Sequence, residues 1–202
     1  MISEFPKDFL WGASTSAHQI EGAYKEDGKG LGIWDALTQE PGHVAHGENG
    51  NTACGHYHRW REDIKLMKEI GLKNYRFSIS WPRVLPNGIG EVNEKGLDFY
   101  KCLVDELIEN GIEPLLTLYH WNLPMALYEK GGWKNPQIVD WFAEYTDLIS
   151  KNFAGKVKYW IFMLIMFIRQ GVIHIRQIHM DMTDMPDRAV QGQQWTGILR
   201  RK

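Results

Sequence analysis

Apolar residues recur every three to four positions in three stretches of the chain. Trp60, Ile64, Met67 and Ile70 share one helical face ahead of Gly71, and Leu97, Tyr100, Val104, Leu107 and Ile108 share another ahead of Gly111. A third stripe, Ile138, Trp141, Tyr145, Leu148 and Ile149, runs up to Gly155. It starts behind Asn135-Pro136, with Asn suited to a helix N-cap and Pro to the first helical position. A glycine just past each stripe supplies the left-handed residue that commonly ends a helix. Three amphipathic helices are therefore predicted, and each needs a surface to cover.

Between them lie short runs rich in aromatic and branched residues: 8–17, 74–80, 113–119 and 157–161. Strands alternating with helices of ten or more residues pair in parallel through right-handed crossovers, so the class is α/β. A doubly wound sheet and a closed barrel both satisfy that pattern. In the second run Tyr75, Phe77 and Ile79 alternate with Arg76, Ser78 and Ser80, which leaves one polar face suited to the inside of a barrel.

The downstream ends of these runs carry hydrogen-bonding and flat aromatic groups: Ser14 to Gln19, Ser80-Trp81 and His120-Trp121. In a β/α barrel such positions gather on the C-terminal face, where active sites are built. Amide and imidazole groups suit sugar hydroxyls, and indole faces cover the apolar side of a sugar ring.

Charge and composition remove other classes of function. The chain of 202 residues has a formal charge of −2, so no basic excess attracts nucleic acid. Cys54 and Cys102 are too few for a disulfide framework and point to a reducing compartment. The opening MISEFPKDF has no apolar run behind a basic head, so no secretory signal is read there and a cytoplasmic location is expected. The apolar run 159–168 spans ten residues, short of a membrane helix, and reads as a sticky segment. His56 with His58, and His174 with His179 and Asp181, lack the spacing of a recognised metal site, and no metal is expected.

The composition changes near residue 160. Residues 1–160 carry 22 acidic and 17 basic side chains, whereas residues 161–202 carry three Asp, no Glu, six basic residues and five of the eight Met.

Four pieces of the chain then closely resemble the β-glucosidases of glycoside hydrolase family 1. Phe9 to Ala23, FLWGASTSAHQIEGA, is similar to that family's N-terminal signature. Tyr75 to Arg83 resembles its second strand, Tyr119 to Pro124 the end of its third, and Gly131-Gly132-Trp133 the motif that follows. The resemblance extends over about residues 5–161. It implies a (β/α)8 TIM barrel, of which about the first four strands and three helices are encoded. It also implies retaining hydrolysis of β-O-glycosidic bonds by two Glu residues, without a cofactor, in carbohydrate metabolism. Carried over by position, Gln19 and His120 would bind hydroxyls of the sugar, Trp121 would wall that subsite, and Arg76 would pair with the nucleophile. Glu21 belongs to the signature and is read as structural.

The chain departs from the family after Lys158-Tyr-Trp-Ile161. Where a Thr-x-Asn-Glu-Pro segment would bring the acid/base Glu, it reads Phe162-Met-Leu-Ile-Met166, and no Glu follows residue 144. Residues 1–161 are thus expected to form the N-terminal half of a glycosidase barrel, and 162–202 an unrelated tail, frameshifted or disordered. A chain lacking both catalytic Glu is expected to be inactive, with a β-glucoside or small oligosaccharide as ligand of the complete parent. The alternative is a non-catalytic carbohydrate-binding or interaction protein on a half barrel. Open barrel edges would then favour self-association. Gly55 and Asn122 stand where the family often has Asp, and both are read as tolerated.

Overall fold

The computed structural model describes residues 5–163 and 198–200. Expectations placed on His174, His179, Asp181 and most of the tail lie outside these residues.

Four parallel strands stand side by side in chain order: β1 (Ala13–Ser14), β2 (Asn74–Ser78), β3 (Glu113–Tyr119) and β4 (Tyr159–Met163). A short strand, β5 (Ile198–Arg200), pairs antiparallel with β4. A doubly wound sheet reverses its strand order at a switch point, whereas this order runs 1-2-3-4 in one direction, as in a barrel. The sequence alone left that choice open.

Three long helices follow the predicted stripes. They are α3 (His56–Glu69), α5 (Glu94–Glu109) and α7 (Ile138–Phe153). Four shorter ones structure the connections: α1 (Ala17–Ile20), α2 (Ile33–Gln39), α4 (Trp81–Val84) and α6 (Met125–Tyr128). The long helices bury Trp60, Ile64, Leu103, Val104, Leu107, Tyr145, Ile149 and Phe153 against Tyr75, Phe77, Leu116 and Leu118 of the sheet. This layer is the core.

Three expectations change in detail. Ile70 is 77% exposed, because α3 ends at Glu69 and the chain turns at Gly71, with φ +78°. The 8–17 run gives only the two-residue β1, and Phe9, Leu10 and Trp11 lie exposed before it. Asn135 caps a turn rather than α7 itself, its Oδ1 accepting from the Gln137 N–H at 2.9 Å.

Glycine is required where backbones meet. A side chain at Gly96 on α5 would place its Cβ 2.2 Å from the Arg83 carbonyl oxygen, so α5 and α4 can pack this closely only without one.

Candidate functional site

The cross-strand register sets the site's floor. Ser14 lies opposite Arg76 and Arg76 opposite Leu115, while Ser78 lies opposite Thr117. Tyr75 and Phe77 point into the helix-covered core, and Arg76 and Ser78 occupy the opposite face. Ser78 Oγ accepts the Ala17 N–H at 2.9 Å, which ties the chain leaving β1 to the end of β2.

His120 follows β3 and meets Arg76 across the sheet. Nη1 of Arg76 donates to Nδ1 of His120 at 3.3 Å. A guanidinium has donors only, so Nδ1 must be the acceptor, and the neutral ring carries its proton on Nε2. Burial, reinforced by the Arg76 charge, pushes the His120 pKa down to about 4. His120 therefore stays a neutral Nε2–H donor across the physiological range.

The folded value of His120 lies below the unfolded one of about 6.5. As pH falls below 6.5 the unfolded chain binds the extra proton first, so His120 withdraws stability from about pH 6.5 downward and the loss levels off below about pH 4. A histidine proton titration of the chain, with His120 identified by His120→Gln, is expected to give a midpoint near 4. A midpoint near the unperturbed value would overturn this environment for His120.

Trp121 is held in the left-handed region at φ 65°, a conformation that a bulky residue adopts only when its surroundings impose it. Its neighbours do so. The buried Asn122 donates from Nδ2 to Ser80 Oγ at 3.2 Å, and the Ile33 N–H donates to the Leu123 carbonyl at 2.9 Å. The Met125 N–H donates to the Leu31 carbonyl at 2.8 Å, which fastens the loop after β1 to the loop after β3. Trp34 is thereby laid parallel to Trp121, with ring centroids 6.4 Å apart and planes 11° apart. His18 continues the stack on Trp34 at 6.0 Å.

Beneath this aromatic row sits a buried charge pair. Lys29 Nζ donates to Asp35 Oδ2 at 2.5 Å, and the Gly32 N–H donates to the same oxygen at 2.9 Å. Burial alone would raise the Asp35 pKa, but His18 at 3.5 Å and Lys29 outweigh it and hold the carboxyl below its usual value. Sequence reasoning missed Trp34, Asp35 and Lys29. The signal was present as the glycine-spaced Gly28-x-Gly30-x-Gly32 ahead of Ile33-Trp34-Asp35, with Asp35 three residues past the N-cap Gly32, whose N–H its carboxylate accepts at the start of α2.

Gln19 lies on α1 at the C-terminal end of β1 and is exposed. Its Oε1 accepts from Ser16 Oγ at 2.7 Å, and no hydrogen bond joins it to His120 among the described residues. The structure thus brings Arg76, His120 and Trp121 together and leaves Gln19 at the rim. Glu21 is 4% exposed and bound by Arg83 and Tyr100. His56 pairs with Asp63 at 2.6 Å, and His58 with Glu26 at 3.0 Å, each through a single carboxylate. Asn122 carries the loop contact described above, and Gly55 is the N-cap of α3 at φ 69°.

A sequential parallel strand order with polar and aromatic groups collected at the C-terminal ends defines a partial β/α barrel. The sequence profile described as Glycosyl hydrolase family 1 matches residues 1–180, and the chain belongs to that family. It is 60% identical over 156 residues to β-glucosidase A of Acetivibrio thermocellus, covering 77% of this chain and 35% of that protein. It is 49% identical over 178 residues to β-glucosidase A of Thermotoga maritima, covering 88% of this chain and 40% of that protein. The solved structure of a Thermotoga maritima β-glucosidase in complex with deoxynojirimycin superposes with a TM-score of 0.78 at 52% identity. That match covers 80% of this chain and 37% of that one. The chain thus spans between a third and two fifths of the length of these relatives. No helix among the described residues is long and apolar enough to cross a membrane.

Proposed function

We propose that this chain carries the sugar-recognition wall of a retaining β-glucosidase and does not hydrolyse glycosides by itself. The observation that carries the reading is the pairing of a neutral His120 and a stacked Trp121 at the ends of the barrel strands, beside a sequence that reads Phe-Met-Leu-Ile-Met over residues 162–166. Retention needs two carboxylates roughly 5–5.5 Å apart, one to attack and one to protonate. The buried carboxylates near this face are already engaged, Glu21 by Arg83 and Tyr100 and Asp35 by Lys29 and His18. His120 Nε2–H and the Gln19 amide would take sugar hydroxyls, and Trp121 would cover the ring.

Within this reading residues 1–161 are the glycosidase half barrel and 162–202 a separate tail, although the family match runs on to residue 180. A cytoplasmic location is supported by two exposed, unpaired cysteines. Self-association is supported by exposed Phe5, Phe9 and Trp11 beside the outer edge of β1.

Two measurements on the whole chain test the reading. Release of a chromogen from an aryl β-glucoside is expected to stay at background, and turnover above it would overturn the inactive assignment. Calorimetric titration with glucose or cellobiose is expected to give heat that Gln19→Ala and His120→Ala remove. Absence of heat in a cooperatively folded sample would overturn the sugar-recognition role.

A further inference from the structure

The dipeptide Asn-Gly occurs three times, as Asn49-Gly50, Asn87-Gly88 and Asn110-Gly111. In each, the glycine nitrogen faces the asparagine side-chain carbonyl with no Cβ of its own to shield it. The fold treats the three differently. The Gly88 N–H donates to the Leu85 carbonyl at 2.8 Å, and the Gly88 carbonyl accepts from Trp81 Nε1 at 2.8 Å, so this peptide is pinned on both sides. The Gly111 N–H donates to the Ile108 carbonyl at 3.0 Å. Asn110 is held as well, its Nδ2 donating to the Glu106 carbonyl at 2.8 Å and its Oδ1 accepting from Lys68 Nζ at 3.0 Å. Asn49 is exposed, and the Gly50 N–H has no hydrogen-bond partner among the described residues. Of the three glycine nitrogens, Gly50's alone can react without first breaking a hydrogen bond.

We propose that Asn49 is a site of spontaneous deamidation, the Asn-Gly position at which the folded chain turns an amide into a carboxylate. The Gly50 nitrogen gives its proton to a solvent base and bonds to Asn49 Cγ. The Cγ–Nδ2 bond then breaks, and Nδ2 takes up a proton and leaves as ammonia. Water opens the resulting cyclic imide at either carbonyl, leaving aspartate or isoaspartate at position 49, and the sequence needs no oxidant or reductant. The Asn51 N–H donates to Asn49 Oδ1 at 3.1 Å, where negative charge collects as the ring closes, so the loop already holds a donor for that intermediate. Asn49 Nδ2 reaches only the Gly47 carbonyl, at 3.4 Å, a long contact that holds the leaving nitrogen weakly. The change would be felt locally. A Cβ at Gly50 would lie 2.8 Å from the His18 ring, so this backbone packs on the imidazole that stacks on Trp34, and isoaspartate adds a methylene and a negative charge to it. The proposal stands apart from the sugar-recognition reading.

The test is incubation of the whole chain at neutral and mildly alkaline pH, followed by proteolysis and mass spectrometry of the three Asn-Gly peptides against aspartyl and isoaspartyl standards. Asn49 is expected to lose its amide at least about tenfold faster than Asn87 or Asn110, since each of those must first release a hydrogen-bonded N–H. The rate is expected to rise with pH, because the attacking species is the deprotonated nitrogen. In guanidinium chloride, where the fold no longer protects Gly88 and Gly111, the three rates are expected to converge. Asn49→Gln, whose longer side chain would have to close a larger ring, is expected to silence position 49 and leave the other two positions unchanged. Equal rates at the three positions of the folded chain, or a faster Asn87 or Asn110, overturn the assignment. So does an Asn49 that stays fastest by the same factor in denaturant, because neighbouring sequence and not the fold would then set the rate.

Discussion

Replacing Arg83 with Met is expected to lower the chain's unfolding free energy by about 3–5 kcal/mol, the cost of removing one partner of a buried ion pair. Arg83 is fully buried, and its Nε donates to Glu21 Oε2 at 2.9 Å. Its Nη2 donates to the Gly22 carbonyl at 3.0 Å, and its guanidinium lies over the Tyr57 ring at 4.1 Å. Without it the Glu21 carboxylate, 4% exposed, keeps only the Tyr100 hydroxyl as a donor. The penalty therefore comes mainly from the stranded charge and less from the lost attraction. Urea denaturation of Arg83→Met, Glu21→Leu and the double variant separates these. The double variant is expected to be more stable than Arg83→Met alone, because it leaves no charge behind. Additive losses would show that the pair contributes through packing rather than through charge compensation.

The same residues explain what the sequence could and could not disclose. Helices α3, α5 and α7 were legible because each covers the sheet with one face and meets solvent with the other, which writes a period of 3.6 into the chain. Helix α4 carries no such signal: Trp81, Pro82, Arg83 and Val84 are all buried, so polar and apolar positions do not alternate. The polar face of β2 was legible from its alternation, and it correctly put Arg76 and Ser78 on the side away from the helices. The Arg76–His120 contact does not follow from that alternation, because the register sets Arg76 opposite Leu115, five residues before His120, which lies past the end of β3. The stack of Trp34 on Trp121 does not either, because it depends on backbone hydrogen bonds between two loops. Nor does the Glu21–Arg83 pair, whose partners are 62 residues apart and meet only when the loop after β1 folds over α4. Local periodicity encodes elements and faces, whereas loop-to-loop contacts are fixed by the assembled fold.

Trp81→Ala is expected to have an effect of the same size, about 3–5 kcal/mol, since a large aromatic side chain leaves a cavity that the fold fills only in part. Trp81 is 1% exposed and stacks on Tyr145 with ring centroids 4.6 Å and planes 12° apart. It also meets Phe142 at 5.6 Å, and its Nε1–H donates to the Gly88 carbonyl at 2.8 Å. Trp81→Phe keeps the stack and loses the hydrogen bond, so its cost should be well below that of Ala. Ile70→Ala, at a residue 77% exposed, should stay within about 0.5 kcal/mol and serves as the reference for surface truncation. The consequence extends to the site. Ser80, next to Trp81, accepts from Asn122 and donates its N–H to the Tyr100 hydroxyl, so it links the core to the loop that holds Trp121 at positive φ. At denaturant-free conditions Trp81→Ala should therefore weaken glucose binding measured by calorimetry, whereas Ile70→Ala should not. Equal affinities in the two variants would show that the Trp121 loop is held independently of the core beneath it.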